Sequence, residues 1–137
     1  MPTLTRWLIK TALVYFVLSL FAGFILASQA VFDLRLLPAS FSPAYFHMLM
    51  VGWVTQLILG VVYWMFPKFT KEQPRGSEKL GWAVYALLNV GLVLRFLIEP
   101  LNPAGTVWGW GLALSAFLQW LAGLMFVVNT WARVKER

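Results

Sequence analysis

Four long apolar runs divide the chain, and most of the charged residues fall between them or at their ends. The runs cover about 7–30, 43–66, 78–99 and 106–133. Each supplies the roughly 20 apolar residues that a helix needs to cross a bilayer. None shows the two-residue alternation of a membrane barrel strand. The pattern predicts an all-α fold, a single domain over 1–137, with four transmembrane helices in an up-down bundle. Local signals mark the ends. Ser42 and Ser77 stand where N-caps belong, Pro43 suits a first helical position, and Pro67 and Pro100 stop the spans they follow. The turn Asn102-Pro103-Ala104-Gly105 leads into the fourth run. The first run is too long for a signal-peptide core, and Ala27-Ser28-Gln29 is a weak cleavage match, so it reads as a retained helix.

Composition agrees with membrane residence. Hydrophobic residues make up 61% of the chain and charged residues only 12%, against about a quarter in soluble domains. The absence of cysteine excludes thiolate metal sites, c-type heme attachment and disulfides. The net charge of +6 has a topological origin and does not indicate nucleic-acid binding. Arg6, Lys10, Lys68, Lys71, Arg75, Lys79, Arg133, Lys135 and Arg137 all fall on one side of a four-crossing chain. Only Arg35 and Arg95 lie toward the other. The positive-inside rule makes the first side cytoplasmic, and with it both termini.

Polar residues inside the apolar runs narrow the chemistry. His47, the only histidine, lies about one turn into the second span, near its outer end. Ionisable groups at membrane depth are costly and are functional by default. At about 100° per residue, His47 shares a helix face with Val51, Val54, Ile58 and Met65, and Gln56 lies on the opposite face. Tyr15, Ser19, Gln56, Asn89, Ser115 and Gln119 fall near one depth and suggest an interhelical hydrogen-bond layer within the bundle. If Gln56 serves that layer, the His47 face points outward and needs a large cofactor or a second chain against it; a homodimer follows. The opposite placement, His47 inward, stays open.

Each candidate has a plain alternative. His47 can ligate a heme iron through a neutral imidazole, or bond to a carbonyl of a neighbouring helix. His47 and Met50, three residues apart, can hold a soft ion such as Cu(I), although methionine in an apolar helix also simply packs. Arg95 can meet a carboxylate of a cofactor or pair with Glu99 four residues on. Arg35 has Asp33 nearby. Asp and Glu sit only at the ends of spans, which argues against an ion pump and against a transporter with broken helices.

The segment Phe46-His47-Met48-Leu49-Met50-Val51-Gly52-Trp53, followed by Gln56, Gly60 and Tyr63-Trp64-Met65-Phe66-Pro67-Lys68, resembles the second transmembrane helix of heme-copper oxidase subunit I, including the nitric oxide reductase and C-type branches. The resemblance extends over the four helices, about the first third of such a subunit. It implies that the chain corresponds to one four-helix arc. It also implies that His47 is an axial ligand of a low-spin heme, with propionates facing Arg95 and, less directly, Arg35. The family's second axial ligand and its binuclear-centre ligands belong to later helices and have no counterpart here, so the resemblance does not imply oxygen reduction by this chain alone. Two copies related by a twofold axis would supply the missing ligand.

The expectation is therefore a multi-pass protein of a bacterial cytoplasmic membrane. It binds heme b, one per homodimer, through His47 of each chain. Met50, Val51, Val54 and Ile58 line the heme, and Arg95 and Arg35 stand at its propionates. Its expected role is electron transfer with a respiratory-chain redox partner, or heme and gas sensing. The alternative is a cofactor-free accessory or assembly subunit of a respiratory oxidase complex.

Overall fold

A computed structural model describes residues 1–32, 36–71, 74–101 and 108–134. These residues form four apolar spans: α1 (Thr3–Phe32), α2 (Ser42–Met65), α3 (Glu78–Leu101) and α4 (Gly109–Trp131). No strand occurs among the described residues. At 1.5 Å rise per residue, the 30 residues of α1 span about 45 Å, more than the thickness of the hydrocarbon core. The turn into α2 is a short 3-10 helix, Ala39–Phe41, and α3 tightens into another at Glu99–Leu101.

Contacts at the two ends define the up-down order. At one end the Ser40 hydroxyl donates to the Pro100 carbonyl, and Phe41 packs edge-on against Phe96. At the other, residues that follow α2 and precede α3 meet the end of α4. The Asn129 Oδ1 accepts from the Ser77 N–H at 2.9 Å, and the Asn129 Nδ2 donates to the Ser77 carbonyl. Ser77 is the N-cap of α3 as its sequence position suggested, its hydroxyl accepting from the Leu80 N–H. Ser42 is not a cap: α2 starts one residue earlier than expected, from Phe41, without a side-chain cap bond.

Arg133 lies just past α4 and is 1% exposed. Its guanidinium donates to three carbonyls at the C-terminal end of α2: Tyr63 at 3.2 Å, Phe66 at 2.8 Å and Pro67 at 3.0 Å. The Tyr63 carbonyl is one that a helix leaves unpaired in its last turn, those of Phe66 and Pro67 follow directly after it, and a cation suits that end of the dipole. The side chain also lies over the rings of Tyr63 and Phe66.

The core runs along α3. Val84, Leu88 and Leu92 pack with Leu59 of α2 and Ala122 of α4, flanked by Tyr15, Val51 and Phe126. Smaller clusters join α1 to α2 at Ala22, Ala44 and Met48, and at Leu4, Leu8 and Tyr63. Along its length α4 docks on α3, and only 11% of its most apolar window is buried. Trp110, Trp120 and Trp131 stand exposed on it. So open a helix requires lipid or another chain around it.

The expected polar layer is not one network. The Ser115 hydroxyl donates to the Gly91 carbonyl across α3 and α4, and the Gln56 amide donates, at a long 3.4 Å, to the Leu8 carbonyl of α1. Ser19 and Asn89 turn back to carbonyls of their own helices. Back-bonding of this kind competes with interhelical bonds whenever no partner lies in reach. The bond that ties α1 to α3, Thr11 to Tyr85 at 2.9 Å, involves neither residue singled out beforehand.

Eight residues of α2, Met48–Thr55, form a π-helix in place of the expected α-helix. Its wider turns are visible in two bonds that reach five residues back: the Gln56 N–H to the Val51 carbonyl, and the Thr55 hydroxyl to the Met50 carbonyl. The ring of Tyr15 lies against Gly52 in this segment; a Cβ there would sit 2.7 Å from Tyr15 Cγ. Gly52→Ala is expected to destabilise the protein by about 1–3 kcal/mol, the usual cost of overpacking. Thermal unfolding in detergent measures this, and Gly52→Ala should cost less in a Tyr15→Ala background, which lacks the crowding ring, than in the wild-type chain.

Candidate functional site

The first turns of α2 position His47. Pro43 sets the start of the helix, and His47 lies four residues on, directly above the Pro43 carbonyl. The His47 Nδ1 is 3.0 Å from that oxygen. A carbonyl can only accept, so Nδ1 carries the proton and, in the neutral ring, Nε2 keeps its lone pair. This is the arrangement by which proteins fix the tautomer and aim of a metal-binding histidine. His47 is half-buried, with Phe46 and Met50 open to the surroundings on either side.

The π-helix redistributes the predicted lining. Met50, Thr55 and Ile58 are exposed, and Val54 is half-buried. Val51, expected on the His47 face, instead packs against the Leu59, Val84 and Leu88 cluster. The face assignment assumed about 100° per residue, and a π turn advances by less. Gln56 is fully buried between helices, and its Oε1 has no hydrogen-bond partner. Met65, another residue assigned to the His47 face, is exposed at the far end of α2.

Arg95 pairs with Glu99. The Arg95 Nε is 2.9 Å from Glu99 Oε2 and its Nη2 is 3.1 Å from Oε1, a two-point fork in a nearly closed setting. The pair neutralises two charges near the end of α3 and occupies that face of the guanidinium. Arg35 and Asp33 lie outside the described residues.

Among the described residues no group of three or more His, Cys, Asp or Glu side chains converges to hold a free metal ion. A heme needs less from the chain, because the porphyrin supplies four of the iron's ligands and the protein the axial ones. The donor set fits that demand: one imidazole, its tautomer fixed, on an outward apolar strip. His47 would hold the iron. The Pro43 carbonyl is the orienting partner that the sequence reading missed, although the four-residue spacing was visible.

The family model described as "Cytochrome C and Quinol oxidase polypeptide I" matches residues 2–110, through α1, α2 and α3 to the first residues of α4. Comparison with curated proteins and with solved structures gives no match.

Proposed function

Because the chain belongs to the cytochrome c and quinol oxidase polypeptide I family, we propose that it is a b-type heme protein of a bacterial cytoplasmic membrane, with His47 as an axial ligand and electron transfer as its role. Heme b, when bound, supplies a one-electron couple. The chain holds the His47 ring through Pro43, leaves Nε2 free, and offers the apolar side chains of Met50 and Ile58 around it. The tie between His47 and Pro43 is the observation that carries the reading.

One chain contributes one histidine, so a homodimer with two His47 side chains on opposite faces of a shared heme completes the ligation. The test is the visible spectrum of the purified protein together with its heme content. The expected result is one heme per two chains, a six-coordinate low-spin pattern, and no response to carbon monoxide. One heme per chain with a carbon monoxide response would replace electron transfer by gas binding.

A second reading, a cofactor-free accessory subunit of a respiratory oxidase complex, draws support from Arg95. Its fork is engaged by Glu99, which leaves it less available to a propionate. Colourless protein from heme-replete cells would favour that reading.

A further inference from the structure

The buried residues of α2 recur at a spacing that a uniform α-helix cannot keep on one face. Ala44, Met48, Gly52, Gln56 and Gly60 are all buried, each four residues after the last. At 3.6 residues per turn a four-residue step drifts by about 40°, so the stripe would wander by about 160° from first to last and leave the interior. It stays inside because Met48–Thr55 is wound as a π-helix. A π turn holds one residue more than the α turn it replaces, and so takes back about 100° of that drift. Contacts with α1 and within α2 hold the wide turn. The backbone at Gly52 lies against the Tyr15 ring, and Trp53 packs on Phe16 with ring centroids 4.2 Å apart. The Thr55 hydroxyl donates to the Met50 carbonyl.

His47 and Gln56 lie on opposite sides of this segment along the chain. In an unbroken α-helix the nine steps between them would set the two side chains about 180° apart, with His47 aimed straight away from the bundle. With one residue absorbed, the angle falls to about 80°. The burial of the segment follows the second value: Gln56 is fully buried, Met48 is 4% exposed, and His47 between them in angle is half-buried. We propose that the π segment positions His47, turning the imidazole from opposite the buried face to the flank of that face, with Gly52 and Tyr15 as the positioning residues. The service to an iron ligand rests on the heme reading of His47; the turn itself does not.

The test removes the extra residue from the whole chain in detergent. The chain has no cysteine, so spin labels at His47→Cys and at Val90→Cys, an exposed site on α3, report the placement of position 47 without heme. Labelled chains are diluted with unlabelled ones, so that only distances within a chain are read. Deletion of Thr55, exposed at the end of the π segment, should let α2 run as a continuous α-helix with both ends in place, and the label distance should not change. The same deletion in the chain that keeps His47 should retain heme and its low-spin spectrum. An alanine inserted after Thr55 adds a second extra residue that no contact holds. It should turn position 47 by about 100°, which moves a side chain about 5 Å from the axis by about 8 Å. Heme should be lost with it. A deletion that moves the label as far, or that loses its helicity by circular dichroism, would overturn the inference, as would an insertion that leaves the label in place. Heme absent from wild type and deletion variant alike, with the label distance kept, would instead end the heme reading and leave the positioning of residue 47 standing.

Discussion

His47→Ala is expected to remove nearly all bound heme, to below a tenth of the wild-type heme-to-chain ratio, and to leave the fold intact. The side chain makes one local hydrogen bond, to Pro43, in a half-open position. Its loss should cost at most about 1 kcal/mol of stability. The iron, by contrast, loses the only imidazole the chain possesses. The absorbance ratio of heme to protein measures the first effect and thermal unfolding the second. His47→Gly should regain a low-spin spectrum when imidazole is added, because the apolar surroundings remain. Met50→Leu should keep its heme; a metal lost from that variant would indicate a His47–Met50 copper site instead. Full heme content in His47→Ala would remove the residue from the site altogether.

The second large effect is structural. Arg133→Met should destabilise the protein by about 3 kcal/mol or more, since hydrogen bonds to a charged group contribute about 1.5–3 kcal/mol each. Three carbonyls at the end of α2 would lose their donor, and the rings of Tyr63 and Phe66 their cation. Arg133→Lys should recover less than half of the loss, because an ammonium on a flexible stem lacks the fork that spans several oxygens. Unfolding in a denaturing detergent reports both variants against wild type. A change smaller than about 1 kcal/mol for Arg133→Met would mean that headgroups and water satisfy the carbonyls equally well.

The contrast between these two residues shows what a sequence makes legible. His47 stands out because an imidazole is rare in an apolar run, and its helix, depth and neighbours follow from local pattern. Ser77 is readable for the same reason, since a cap bonds to its own next turn. Arg133 reads as one of nine orientation charges. Its role depends on carbonyls 66 to 70 residues away, which only the packed chain brings near. Gln56, read on the face opposite His47 with its interior placement left open, is fully buried, yet its one bond is long and its Oε1 unpaired. Hydrophobic pattern predicts burial better than it predicts partners. Val51 was assigned to the wrong surface for a different reason: one π segment changes the pitch on which every face assignment depends. Nothing in Met48–Thr55 taken alone announces that change; the ring of Tyr15 against Gly52 belongs to another helix.

The Arg133 clamp also has a consequence for biosynthesis. The carbonyls at the end of α2 must wait for a residue made 66 positions after Pro67. At about 5–20 residues per second, that is an interval of about 3–13 s on the ribosome. During it α2 and α3 can already pair through the core, but the end of α2 has only water and headgroups to satisfy it. The last span thus does more than add a fourth crossing. The residue just past its end closes a joint that the second span left open, so the end of α2 is satisfied only once the nascent chain has passed Arg133.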